Sequence, residues 1–269
     1  MAALPDRFEV TAVLDPSPRY VGTSHEDATA RAMGYRAALV PGAFVYGHVT
    51  RLALMIWGEE WLSRGTAQVR FRRPVFAGDR LSIQRGPLTE TGNGIEAPVS
   101  VIEMSSSTVV VDGTIGLANT PPIVPADLAI LPLPVVRTVL SPGAVPVNRP
   151  LGSTVTVMGA DIVNQSLRDF HETSDIYSAK GLIHPGMLLR RTMGDTLANF
   201  DLPMPVIFAG AQVQLLAPAR VGQSYATAAR ILRTWERNGK HYFDSEEWLL
   251  CDATPMARHI RTNIYAVDP

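Results

Sequence analysis

Ala67-Gln68-Val69-Arg70-Phe71-Arg72-Arg73-Pro74-Val75-Phe76-Ala77-Gly78 returns later in the chain as Ala211-Gln212-Val213-Gln214-Leu215-Leu216-Ala217-Pro218-Ala219-Arg220-Val221-Gly222. Five of the 12 aligned pairs are identical, and the same shift of 144 residues carries Pro41-Gly42 onto Pro185-Gly186. An insertion or deletion between the two landmarks would break their shared offset, so the chain reads as two copies of one small unit. Function is then expected where the copies meet and where they differ.

Upstream of the repeat, Phe8 to Leu14 alternates as a strand and Asp15 to Gly22 is a loop. His25 to Met33 predicts a short helix closed by Gly34. Ala43 to Leu62 is apolar around several helical faces, which predicts a long buried helix ended by Gly65. Beyond it the period drops to two, giving strands at Gln68–Phe71, Arg80–Arg85, Ile95–Glu103 and Thr108–Leu117. Ala77-Gly78-Asp79 and Thr91-Gly92-Asn93-Gly94 supply turns, the latter a hairpin signal. The second copy repeats the plan with a strand at Thr154–Met158, a central helix at Met187–Phe200, a meander from Ala211 and a hairpin at Glu236-Arg237-Asn238-Gly239. Pro121 to Pro150 is proline-rich and reads as an extended tether. The expected division is 1–120, a linker at 121–150, and 151–269.

Composition bounds the function. The 269 residues are 46% hydrophobic and 18% charged with a net charge of −1, which describes a globular chain with no basic stripe for nucleic acid. Arg70, Arg72 and Arg73 form a short cluster that reads as the solvated side of a strand, or as a seat for a pantetheine or nucleotide phosphate. Cys251, the single cysteine, excludes an internal disulfide and reads as a buried small hydrophobe. No leader pattern opens MAALPDRFEV and no membrane-length apolar run follows, so the expectation is a soluble, cytoplasmic protein with no membrane contact. No metal-ligand spacing, dinucleotide fingerprint or serine elbow around Ser24 is present, so neither a metal nor a cofactor is expected.

The pattern His25-Glu26-Asp27, Gly34-Tyr35, Leu39-Val40-Pro41-Gly42, Phe71-Arg72-Arg73-Pro74-Val75 and Gly78-Asp79 resembles the MaoC-like acyl dehydratase and R-specific enoyl-CoA hydratase family. Gly181-Leu182-Ile183-His184-Pro185-Gly186 echoes it in the second copy. The resemblance implies an α+β fold of two tandem hot-dog domains, each a bent antiparallel sheet around a long helix. It also implies a hydro-lyase acting on an enoyl or 3-hydroxyacyl thioester of CoA or an acyl carrier protein. A tandem chain pairs its two units internally, so a pseudo-dimeric monomer or a homodimer of such chains is expected.

Hydratases of this family use an Asp and a His in D-x-N-P-x-H, two titratable groups sharing one water. Here His25 matches the histidine, but Tyr20 stands where the aspartate belongs, leaving Asp27, Glu26 or Tyr20 as local partners. Pro41, Gly42 and Ala43 open the central helix, whose amides suit the oxyanion of a developing enolate. Tyr46 follows on that helix and Gly186 repeats the turn. By the 144-residue shift Asp169 and His171 answer His25 and Asp27, and His184 replaces Val40 before Pro-Gly, so the second copy offers an alternative catalytic set. His48 reads as a hydrogen-bonded core histidine. Thioester hydrolysis, non-catalytic acyl binding, and cyclisation or isomerisation remain open readings of the incomplete dyad.

Overall fold

The computed structural model describes residues 4–268, which leaves the first three residues of the N-terminal stretch read above outside it. Strand β1 (Arg7–Thr11) is followed by helices α1 (Asp27–Ala32), α2 (Gly42–Trp57) and α3 (Glu60–Arg64). The meander β2 (Gly65–Phe71), β3 (Arg80–Arg85), β4 (Thr89–Thr91), β5 (Gly94–Glu103) and β6 (Thr108–Ala118) completes the first copy. The connecting segment carries β7 (Thr138–Val139) and β8 (Pro150–Leu151). The second copy holds β9 (Thr156–Val157), α4 (Ala160–Asp169), α5 (Ile176–Lys180), α6 (Pro185–Leu197) and β10 (Phe200–Asp201). It ends in β11 (Ile207–Leu215), β12 (Ser224–Arg237), β13 (Lys240–Cys251) and β14 (Thr254–Val267).

One sheet runs β1-β3-β5-β6-β2-β11-β14-β13-β12-β8, so each half repeats the same order outward from a shared seam between β2 and β11. The seam strands are antiparallel, with Gln68 opposite Gln212. The sheet wraps α2 and α6, which pack on each other inside it. This is the double hot-dog arrangement expected from the sequence.

Helix α2 is apolar on most faces because it is buried on most faces. Val45, Val49, Leu52 and Ala53 pack in one core with Val69, Ile83, Val101 and Ile115 of the surrounding strands. Gly58, at φ 57, ends the helix earlier than Leu62, and the expected continuation is the separate helix α3. Helix α6 instead covers a polar interior. Thr196 and Ser245 both donate to Glu247, which is ion-paired with Arg261, and all four residues are fully buried. Charges at that depth persist only when paired.

Other expectations shift for local reasons. The strand expected at Thr154–Met158 shrinks to β9, because the Ser153 and Thr154 side chains turn to bind Asp195 of α6. Helix α6 starts at Pro185 and stops at Leu197, leaving Phe200 to β10, and β11 begins at Ile207 ahead of Ala211. Helix α4 was not legible from the repeat. The tether lies along the second copy, with Val147 bridging Ile231 and β7 pairing β10. The 144-residue shift holds through the sheet but fails upstream of α6: it carries α1 onto 171–176, whereas α5 occupies Ile176–Lys180.

Candidate active site

A cavity of about 1150 Å³ opens between the copies. Its inner end is lined by the Arg19–His25 loop, Pro41, Gly42 and Ala43 at the start of α2, Phe71, and Arg190 and Phe208 of the second copy.

His25 sits just before α1, in a loop fastened where Leu39 N–H donates to the Ser24 carbonyl at 2.9 Å. Its Nδ1 lies 2.7 Å from the Leu39 carbonyl. A carbonyl only accepts, so this contact assigns the proton to Nδ1 and leaves Nε2 as a free lone pair. Burial lowers the His25 pKa, and the charges of Arg190 and Arg19 lower it further against the Leu39 bond, so the ring is neutral near pH 7.

Tyr20, five residues earlier, is buried with its ring edge-on to His25 at 5.5 Å between centroids. Its hydroxyl accepts from the Arg19 guanidinium at 2.7 Å and keeps its own proton to give. Burial raises the Tyr20 pKa more than Arg19 lowers it, so the phenol stays protonated. Asp169 anchors this corner by pairing with Arg19 at 2.8 Å and Arg190 at 3.1 Å. Burial alone would push the Asp169 carboxyl up. The bonds from Arg19 and Gln165 outweigh burial and hold it below the usual range.

At the start of α2, Phe44 N–H donates back to the Pro41 carbonyl at 2.8 Å, and no side chain caps the helix. The amides of Gly42 and Ala43 therefore stand at the positive end of the helix beside the cavity. Glycine is required there: a Cβ on Gly42 would come within 2.7 Å of Phe208 and 3.1 Å of Phe71. A register irregularity in β11 between Phe208 and Gly210 accompanies this approach, and Phe208 meets Phe71 at 4.9 Å between centroids.

The second Pro-Gly turn is filled. His184 is the N-cap of α6, and its Nδ1 accepts from Gly186 N–H at 3.0 Å. Its Nε2 faces Glu172 at 3.4 Å, and both side chains are buried. Phe170 stacks on the imidazole at 4.4 Å and occupies the space against Gly186, where a Cβ would meet it at 2.9 Å. Burial lowers the His184 pKa, as its capping role with an unprotonated Nδ1 also requires. Tyr46 and Tyr177 are buried beside this cluster, and the Tyr46 hydroxyl finds no hydrogen-bond partner among the described residues.

Of the residues singled out in the sequence, the structure brings Tyr20, His25, Pro41, Gly42 and Ala43 together along the cavity. Asp169 joins them through its two arginines. Asp27 does not: its exposed carboxylate accepts from Ala38 N–H at 2.7 Å and shapes the loop after α1. His171 is on the surface at φ 48, 4.0 Å from Asp15. His184, Gly186 and Tyr46 belong to the filled second turn, and His48 lies in the core with its pKa pushed down to about 4 by burial. Arg19, Glu172 and Phe208 were not anticipated. Arg19 adjoins Tyr20 and Glu172 adjoins His171, but only the fold sets their direction. Among the described residues no cluster of His, Cys, Asp and Glu is arranged to hold a metal ion, and no helix is long and apolar enough to cross a membrane.

No family model and no curated protein matches the chain. Solved structures do match its fold. A MaoC-like dehydratase superposes with a TM-score of 0.59 at 13% identity, over 98% of each chain. A conserved hypothetical protein of Mycobacterium tuberculosis with a double hot-dog fold gives 0.61 at 15% identity, over 97% of this chain and 96% of that one. A 12:0-ACP thioesterase from Umbellularia californica gives 0.51 at 10% identity, over 96% of this chain and 93% of that one. At these identities the likeness is one of fold, shared by proteins named for elimination and for hydrolysis.

Proposed function

We propose that the cavity between the copies binds an acyl thioester at the α2 helix start and that the protein is a hydratase or dehydratase of that substrate. The carrying observation is the contrast between the two helix starts. His184 consumes the Gly186 amide, whereas the start of α2 has no cap and opens on a cavity beside His25.

In this reading the thioester oxygen accepts from the Gly42 and Ala43 amides. For hydration, His25 Nε2 takes a proton from water as the water oxygen bonds to the β-carbon. The electron pair of the double bond moves to the carbonyl oxygen, where the amides stabilise the enolate. Tyr20 gives its proton to the α-carbon, with Arg19 stabilising the phenolate, and the imidazolium proton returns to Tyr20. Dehydration runs the same steps in reverse.

One observation favours hydrolysis as a second reading: Asp169, whose carboxylate reaches this corner, is held by Arg19 and Arg190 and is not paired with His25. Water activated by His25 would then attack the carbonyl carbon directly. Incubating purified protein with a short enoyl thioester separates the readings. Loss of the enoyl absorbance without thiol release supports the lyase, and thiol release supports the hydrolase. Tight binding with neither change would leave a non-catalytic acyl-binding protein.

A further inference from the structure

Eight basic side chains line the cavity against a single carboxylate, Asp244. The chain as a whole balances 24 Lys and Arg with 25 Asp and Glu, so this segregation is local to the site. Arg19 and Arg190 face the inner end. The other six, Arg70, Arg72, Arg73, Arg233, Arg237 and Lys240, line the part that passes the ends of β2 and β11 and continues over the outer face of the sheet.

Strand register arranges this outer groove. Arg70, Gly210, Thr262, Asp244 and Arg233 fall in one row across five strands drawn from both copies. Four strand spacings make the row roughly 19 Å long. Gly210 keeps its floor bare, since a Cβ there would stand 2.7 Å from the Val69 carbonyl. Asp244 is already spent: one oxygen accepts from Thr262 at 2.6 Å and the other from Arg233 at 2.7 Å. Arg72 is paired with Asp112. Arg70, Arg73, Arg237 and Lys240 have no carboxylate partner among the described residues. Single exposed arginines are ordinary. Four unpaired cations along one cavity repel one another, and a bound anion relieves that repulsion.

We propose that the outer groove is a phosphate-binding subsite for the phosphate-bearing end of a pantetheine arm whose thioester reaches Gly42. The proposal rests on the reading of the inner cavity as a thioester site. Guanidinium groups suit a phosphate because they donate two parallel bonds to its oxygens. The same phosphate ends the arm of free coenzyme A and the arm carried on a protein.

Calorimetric titration of the purified protein with coenzyme A, 4′-phosphopantetheine and pantetheine tests this without reading turnover. Phosphopantetheine is expected to bind at least about tenfold more tightly than pantetheine, and added salt to weaken it. The double variant Arg237→Glu, Lys240→Glu, on exposed positions, raises the Kd for coenzyme A by about tenfold or more, while Arg7→Glu, on the exposed edge strand β1 at the far end of the sheet, leaves it unchanged. Tighter binding of coenzyme A than of phosphopantetheine assigns the subsite to the free coenzyme, and equal binding assigns it to a protein-borne arm. Equal affinity for pantetheine and phosphopantetheine overturns the proposal, as does a Kd unmoved in both the double variant and Arg70→Glu. A protein that binds the phosphorylated arm and converts no thioester would sink the lyase and hydrolase readings and leave this subsite standing.

Discussion

Gln68 on β2 lies directly opposite Gln212 on β11, and Gln212 is its own counterpart in the second copy. A residue facing its own repeat marks a local two-fold axis, here running through the seam of the sheet. Two turns related by that axis begin with the same Pro-Gly and would be equivalent if their surroundings were. They are not: Val40 precedes one and His184 the other, and Phe170 fills the second. The axis explains why the fold has two places for a site, and side-chain differences decide which is open.

His25→Ala is expected to lower kcat on an enoyl thioester by about 10²- to 10⁴-fold, the usual contribution of a positioned acid or base. Because burial lowers the His25 pKa, the neutral, active ring persists below pH 6.5. The acid limb of kcat/KM should therefore fall below that value, and a limb centred above it would contradict the assignment.

Tyr20→Phe keeps the ring packed on His25 and removes only the hydroxyl that Arg19 holds. If the phenol is the proton donor, kcat falls by about 10² or more while KM moves little. A rise in KM alone would make Tyr20 a binding residue.

The repeat was legible because Ala67-Gln68-Val69 and Ala211-Gln212-Val213 occupy the seam, where both copies obey the same pairing. That His25 and Pro41-Gly42 would lie close together was legible from their shared pattern, and both line one cavity. Upstream of α6 the equal-shift reading failed, because α4 and the inward-turned Phe170 change the path of the chain. Asp169 consequently turns towards the first copy, paired with Arg19 and Arg190, and does not take the place of His25 in its own. Whether a histidine caps a helix or faces a cavity depends on where its neighbours point, as His184 and His25 show. Sequence spacing carries no such direction.

His184→Ala is expected to act on stability rather than on chemistry. It removes the cap on Gly186 N–H, worth about 1 kcal/mol, and strands the buried Glu172 carboxylate, costing about 1–3 kcal/mol more. The urea midpoint should drop clearly, and His184→Asn, which can still cap, should recover part of it. A His184→Ala protein with an unchanged midpoint and no activity would instead move the catalytic site to the second copy.

Stability should also fall on mild acidification, before most carboxylates titrate. Burial pushes both His48 and His259 down to about 4, from about 6.5 when the chain is unfolded. Above pH 6.5 both states hold these rings neutral and their contribution is complete. As the pH falls from 6.5 towards 4 the unfolded chain takes up protons that the folded chain refuses, so the equilibrium shifts towards unfolding. Below about 4 both states are protonated and the loss levels off. Denaturation midpoints at pH 7.0, 5.5 and 4.5 should decline in sequence. His48→Leu, which places an apolar side chain on the buried face of α2, should flatten its share of the slope. A midpoint constant between pH 7.0 and 4.5 would mean that these imidazoles are hydrated in the folded protein.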